Sequence, residues 1–248
     1  MFEAKVFLAG PSRQSDEERT SLWNLWQPHQ PPTESKGVRF VYIADAGLES
    51  FLSWFNGLSQ DDAARLQSVV WCGDGDSLGR HGHELLKSTA ARLEGRWREH
   101  LYSTEKDFSD CAALTSLIEY DVRHADELAD RLWVTVHGAL GGRFDHEIVN
   151  IFEFTGMLGR VTCPATVALG PEMILTTAPV TLTLNSQEKF SLMAALPHQQ
   201  VRVQISGARY SGEILLRQPS HGLSNMVVAG KAVIEPLTAG QPLMGIIS

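Results

Sequence analysis

Cysteine is scarce in this chain of 248 residues: Cys72, Cys111 and Cys163 are widely spaced and never form a CxxC pair. An odd number without close pairs argues against a disulfide framework and a zinc knuckle, and suits reduced thiols. Long apolar runs are missing as well. No stretch reaches the roughly 18 apolar residues that a membrane-spanning helix needs. Met1 to Gly10 also lacks the basic start, apolar stretch and small-residue cleavage site of an exported protein, so the expectation is a cytoplasmic chain with no membrane contact. Basic patches are equally absent. Net charge is -8, from 29 acidic and 21 basic residues, and no Lys/Arg run is interleaved with aromatics, so no nucleic-acid partner is expected. Three common signatures do not occur either: there is no Walker A sequence, GDGDSLG does not satisfy GxGxxG, and Ser77 lacks the GxSxG context of a hydrolase nucleophile.

What is present has two grammars. Up to about residue 160, apolar runs of strand length recur at Val6 to Ala9, Val38 to Ala44, Val69 to Cys72 and Leu132 to Val136. Each ends in Gly or Asp, as in LAGPS, IADAG, WCGDGDS and VHGALGGRFDH. Helical spacing is read between them, from Leu93, Trp97 and Leu101, from Leu114, Leu117 and Ile118, and from Glu147 to Phe154. Alternating strands and helices predict an α/β domain over 1–160, a doubly wound, Rossmann-like parallel sheet whose ligands bind beyond the carboxyl ends of the strands. From about 161 to 248 the runs are short, β-prone and separated by Pro, Gly, Asn and Ser, which predicts a small antiparallel β-sandwich. The polar, proline-broken segment Ser12 to Lys36 reads as a loop or insertion, with a short helix around Leu22 to Trp26.

The loops carry the chemistry. Asp74 and Asp76 in GDGDS crowd like charge at a strand end, and Asp107 and Asp110 in KDFSD stand three apart before an amphipathic run. Helix capping by Asp107 and metal binding are both open readings of the second pair. Acidic pairs gathered at one sheet edge suit a hard cation such as Mg²⁺, which bridges substrate phosphates. In HGALGGRFDHEIVN, Gly138, Gly141 and Gly142 permit close backbone approach, Arg143 offers a fork of donors for phosphate and Asp145 is a further acceptor. A helix starting after this loop would present free N–H groups to an anion. His81 and His83 in RHGHE read as a solvated loop, and Cys72 as a packed small hydrophobe.

In order and wording these loops resemble the thiamin pyrophosphokinase family across nearly the whole chain: the early LAG turn, IADAG, GDGDS, KDFSD, GALGGRFDH with Asn150 following, and GLSN late in the β half. The resemblance implies a nucleotide-binding α/β domain followed by a β-sandwich that binds thiamin and dimerises. It implies an enzyme that moves the β,γ-pyrophosphoryl group of ATP, with Mg²⁺, onto the thiamin hydroxyl and releases AMP, working as a homodimer with interface active sites. Position by position, Asp74, Asp76, Asp107 and Asp110 match the metal and phosphate apparatus, with Asp74, Asp76, Asp110 and Arg143 as catalytic candidates. Asp45, Gly47, Ser77, Lys106, Asp107 and Gly142 fall on the nucleotide side. Asp145, Asn150, Tyr210, Ser224 and Asn225 fall on the thiamin side, where an aromatic face at Tyr210 would suit a flat cationic heterocycle.

Ala46, Gly75, Ser109 and Ala113 stand where the family usually carries Gly, a bulky residue, Thr and Lys. Other functions compatible with the loops are a paralogue of the same fold acting on another hydroxylated heterocycle, and a non-catalytic sensor of nucleotide or thiamin diphosphate. A Mg²⁺-dependent nucleotide-sugar transferase rests on the bare DxD of GDGDS and accounts for neither KDFSD nor GGRFDH.

Overall fold

Strands and helices alternate at first and give way to strands alone. In chain order the elements are β1 (Phe2–Phe7), β2 (Trp26–Pro28), β3 (Phe40–Ala44), α1 (Leu48–Asn56), α2 (Gln60–Arg65), β4 (Ser68–Gly73), α3 (Gly79–Arg92), β5 (Trp97–Leu101), α4 (Asp110–Arg123), β6 (Leu132–His137) and α5 (Phe144–Arg160). Among the described residues nine strands follow: β7 (Ala165–Leu169), β8 (Met173–Thr176), β9 (Val180–Thr183), β10 (Lys189–Ala194), β11 (Val201–Ser206), β12 (Gly212–Leu216), β13 (Gly222–Met226), β14 (Lys231–Pro236) and β15 (Leu243–Ile247). The computed structural model describes residues 1–10, 25–29, 39–125, 130–185, 188–196, 198–228 and 230–247. The described residues of Met1–Arg13, Glu34–Ala129 and Val134–Glu153 form one unit; those of Gln14–Thr33, Asp130–Trp133 and Phe154–Ser248 form a second.

In the first unit the strand order is β6-β1-β3-β4-β5, with β1, β3, β4 and β5 paired in parallel. Because side chains alternate along a strand, Val41 and Ile43 of β3 and Val69 and Trp71 of β4 share one face. There they pack with Leu48, Phe51 and Phe55 of α1 and with Leu86 of α3 in one apolar cluster. Burying each such large side chain contributes about 1.5–3 kcal/mol. The opposite face carries Tyr42, whose hydroxyl donates to Asp121 Oδ2 of α4 at 2.7 Å. Helices therefore cover both faces, and the unit is doubly wound. The turns after the strands, at 8–10, 45–47, 74–77, 102–109 and 138–143, all leave from the carboxyl edge of the sheet.

The second unit is antiparallel. One set of strands runs β7-β8-β15-β10-β13 and the other β12-β11-β14-β9-β2. Val180 and Leu182, Val201, Val203 and Ile205, and Ala232 and Ile234 alternate inward and meet Ile174, Phe190, Leu192 and Leu243 of the facing set. This is the sandwich expected from the short β-prone runs. Trp26 of β2 pairs with Leu182 and is buried in the same core. It lies over Gly245, where a Cβ would come within 2.9 Å of the indole ring.

Several local expectations are corrected. The spacing of Leu93, Trp97 and Leu101 is not a helix: Trp97–Leu101 is the edge strand β5, and an edge strand with exposed residues has no need of a continuous apolar run. Trp26 is in a strand rather than a helix, and the rest of the Ser12 to Lys36 reading lies outside the described residues apart from 25–29. Ser109, not Asp107, caps α4, its Oγ accepting the Ala112 N–H at 3.1 Å, a contact of about 1 kcal/mol. His81 and His83 lie exposed on α3 rather than in a loop. The helix read over Glu147 to Phe154 runs from Phe144 to Arg160. Among the described residues, no helix is long and apolar enough to cross a membrane.

Candidate functional site

A cavity of about 690 Å³ opens where the strand-end turns of the first unit meet. Its lining draws on Leu8, Ala9 and Gly10 after β1, Asp45 after β3, Asp74, Asp76 and Ser77 after β4, Lys106 and Ser109 before α4, Asp110 and Cys111 in its first turn, and several residues between Gly138 and Asn150 after β6. Gly10 and Gly138 make the turns fit together. A Cβ on Gly10 would lie 2.1 Å from the Gly138 carbonyl oxygen, and Gly138 itself sits at φ +75°, a region that favours glycine.

Asp45 is held in an uncommon way. Its backbone has φ +38°, and Trp71 Nε1 donates to its carbonyl oxygen at 3.2 Å. Gly73 leaves the room beside it, since a Cβ there would stand 3.0 Å from Asp45 Oδ1. The side chain is 3% exposed, and Oδ1 is buried without a hydrogen-bond partner. One carboxylate oxygen from each of Asp45, Asp74 and Asp76 lies within 4.8 Å of the other two. Burial pushes the Asp45 carboxyl above its ordinary value, the nearby Ser77 hydroxyl pulls it back, and the charges of Asp110, Asp74 and Asp76 raise it further. Three carboxylates this close together, one of them buried with an oxygen left unpartnered, form an arrangement that asks for a cation.

Lys106 answers one side of this charge. Its ammonium donates to Asp74 Oδ2 at 2.9 Å and to Asp110 Oδ1 at 2.6 Å. Burial would lower the Lys106 pKa, but the hydrogen bonds and charges of Asp110 and Asp74 outweigh it and the group is held above its usual range. The Lys106 hydrogen bond is also the main cause that holds Asp74 below the usual carboxylate range, followed by the Asp76 N–H, which donates to Asp74 Oδ1 at 3.2 Å. Ser77 Oγ donates to Asp76 Oδ1 at 3.0 Å.

At the other side of the cavity, Arg143 donates to Asp145 through Nε at 3.2 Å and through Nη2 at 2.6 Å, both side chains being largely exposed. The Arg143 hydrogen bond keeps the Asp145 carboxyl below its ordinary value. The glycine-rich turn is tied to α5 twice: Glu147 Oε1 accepts the Gly141 N–H, and Asn150 Nδ2 donates to the Ala139 carbonyl at 3.1 Å. Cys72 is fully buried at the end of β4, and burial pushes its thiol up to about 12, which suits a packing role.

Of the residues singled out in the sequence, Asp45, Asp74, Asp76, Ser77, Lys106, Asp110, Gly142, Arg143, Asp145 and Asn150 line this cavity. Asp107 is exposed and outside both the carboxylate group and the lining, while Gly47 is buried beneath the turn, where a Cβ would lie 2.3 Å from the Phe7 carbonyl oxygen. Tyr210, Ser224 and Asn225 belong to the second unit. There Tyr210 is exposed, with the Arg209 guanidinium 5.7 Å from its ring centre, and Ser224 has φ +57°. Asn225 is 5% exposed and locks the backbone: its Oδ1 accepts the N–H groups of Tyr210 at 3.0 Å and Met226 at 2.9 Å, and its Nδ2 donates to the Tyr210 carbonyl at 2.9 Å. The sequence reading missed the fastening role of Glu147, for which the only signal was an acidic residue in a first helical turn after a glycine-rich stretch.

No family model matches the sequence, and no curated protein matches it. Solved structures do match the fold. The chain superposes on thiamine pyrophosphokinase from Bacillus subtilis with a TM-score of 0.60 at 13% identity, covering 99% of this chain and 98% of that one. It superposes on thiamin pyrophosphokinase from Geobacillus thermodenitrificans with a TM-score of 0.59 at 18% identity, covering 99% and 97%. For thiamin pyrophosphokinase from Candida albicans the TM-score is 0.60 at 14% identity, with 99% and 89% covered. The chain thus has the fold of the thiamin pyrophosphokinases from end to end.

Proposed function

We propose that the chain is a thiamin diphosphokinase, transferring the β,γ-pyrophosphoryl group of ATP to the hydroxyl of thiamin and releasing AMP. The observation that carries this reading is the convergence of Asp45, Asp74, Asp76 and Asp110 with Lys106 and Arg143 around one cavity at the strand ends, in a chain with this fold. Carboxylates alone would repel a triphosphate. Carboxylates beside an orphaned buried oxygen suit a hard divalent cation, and the all-oxygen donor set of Asp45, Asp74 and Asp76 fits Mg²⁺. When bound, Mg²⁺ supplies neutralisation of polyphosphate charge.

The chain's own groups would do the rest. Lys106 and Arg143 offer cationic donors to phosphate oxygens, and the exposed first turn of α5 offers N–H groups. The thiamin hydroxyl oxygen forms a bond to the β-phosphorus as the bond from that phosphorus to the α-phosphate oxygen breaks, so AMP leaves and a cluster carboxylate takes the hydroxyl proton. Alignment and charge stabilisation supply the acceleration, with no covalent enzyme intermediate. Tyr210, Ser224 and Asn225, with Asp145 and Asn150, are the acceptor-side candidates, and the proposal extends to a cytoplasmic homodimer. A monomeric mass by light scattering at micromolar concentration would count against that last part.

The deciding experiment incubates purified protein with Mg-ATP and thiamin and follows thiamin diphosphate and AMP together by chromatography. Matched formation of both, lost with EDTA, is expected. ATP bound without AMP release would discard the reaction and leave a sensor; AMP released only with another alcohol would reassign the acceptor.

A further inference from the structure

Lys106 occupies a position that a simple phosphate-binding lysine need not occupy. Its Nζ bridges Asp74 and Asp110, and the Lys106 and Asp74 side chains are only 10% and 11% exposed. The oxygen that Lys106 takes from Asp74 belongs to the same carboxylate that stands with Asp45 and Asp76 in the candidate cation group. In the same group, Asp45 has its Oδ1 buried and unpartnered. The cluster is therefore only partly neutralised. An ammonium already sits on one of its carboxylates, Asp74, and on the neighbouring Asp110, and a divalent cation seated among Asp45, Asp74 and Asp76 would share Asp74 with that positive charge.

We propose that Lys106 is a resident counter-cation that makes divalent-metal and polyphosphate binding depend on each other, an inference that rests on reading the carboxylates as a metal site. Without a polyphosphate, the ammonium stays on Asp74 and Asp110 and weakens metal binding by charge repulsion and by occupying ligand oxygens. A polyphosphate arriving in the cavity offers Lys106 a stronger anionic partner. Lysine is a point charge on a flexible stem, so its head group can pass from carboxylate to phosphate by rotamer changes alone. Asp74 is then released to the metal. Linkage makes the effect reciprocal: metal on Asp74 displaces Lys106 towards phosphate and so tightens polyphosphate binding by the same factor. The opposing account is that Lys106 is a fixed pin fastening the 102–109 turn to the end of β4.

Binding of Mn²⁺ as the probe, followed by electron paramagnetic resonance of the free ion, separates the two. The full chain would be compared with Lys106→Met, Lys106→Gln, Lys106→Arg and Asp76→Asn, each alone and with α,β-methylene-ATP, correcting for Mn²⁺ held by the free analogue. The expected result is that Lys106→Met binds Mn²⁺ about tenfold more tightly than the wild type without nucleotide, and that the tightening caused by the analogue shrinks. Lys106→Arg should keep the wild-type affinity, and Mn²⁺ should raise the melting temperature more in Lys106→Met than in the wild type. Lys106→Gln gives the same readout if the methionine variant does not fold. Unchanged or weaker Mn²⁺ binding in both neutral variants, while Asp76→Asn loses it, would overturn the proposal and leave the metal site standing. Absence of Mn²⁺ binding in every protein, with and without the analogue, would overturn both.

Discussion

Gly138 faces Leu8 so closely that a Cβ on the glycine would stand 2.5 Å from the leucine carbonyl oxygen. The turn after β6 and the turn after β1 are thereby in backbone contact beneath the cavity. Gly138→Ala meets both this clash and a left-handed φ of +75°. It should lower the stability to urea by about 2 kcal/mol or more and weaken binding of an ATP analogue. Normal unfolding and normal binding in that variant would mean the two turns can separate at no cost.

Asp76 is an exposed carboxylate at a strand end with little packing, yet its oxygen stands in the candidate cation group. Asp76→Asn should therefore reduce pyrophosphoryl transfer by a factor on the order of 100 or more while leaving the unfolding free energy within about 0.5 kcal/mol of the wild type. Transfer rates and melting curves on the same preparation check it; full activity would place the cation elsewhere.

Lys5 of β1 has its ammonium 2.9 Å from His137 Nε2 and 5.4 Å from the Trp54 ring centre. Burial lowers its pKa from 10.5 to about 8, against a smaller opposing effect of Glu3. Below about 8 the lysine is protonated in both the folded and the unfolded chain, so it adds no pH dependence there. Between about 8 and 10.5 the unfolded chain holds a proton that the folded one has lost, so stability rises with pH in that window. Urea midpoints of wild type and Lys5→Met from pH 7 to about 10.5 should show the wild type gaining on the variant above pH 8. Parallel curves would contradict the burial of that charge.

Asn225 holds three backbone groups around Tyr210 and Met226. Asn225→Ala should cost about 2 kcal/mol, because buried donors and acceptors lose their partners. A residue that served only to touch substrate would change the Michaelis constant and leave the urea midpoint where it was.

Much of this was legible beforehand, for identifiable reasons. β3 and β4 are central strands buried on both faces, so they read as unbroken apolar runs, and the turns that follow them announce themselves with Gly and Asp. β5 did not, because WREHL lies at an edge and its Trp97 and Leu101 mimic a helical spacing by coincidence. Asp107 and Asp110 looked equivalent in KDFSD. Ser109 distinguishes them by capping the helix so that Asp110 enters its first turn beside Lys106, while Asp107 stays outside in solvent. That Asp45 joins Asp74 and Asp76 depends on its left-handed backbone and on the absence of a side chain at Gly73, two facts separated in sequence and joined only in space.

β2 is three residues long, yet its Trp26 fills a place in the sandwich core against Gly245, which lies in β15. On the ribosome this indole therefore emerges well before its seat. The sandwich cannot close in its final form until β15 has emerged, and a fragment expressed from residue 161 onwards would have a hole where the indole belongs. Until then the apolar inner face of the sandwich stays exposed, the condition in which nascent chains are most prone to aggregate.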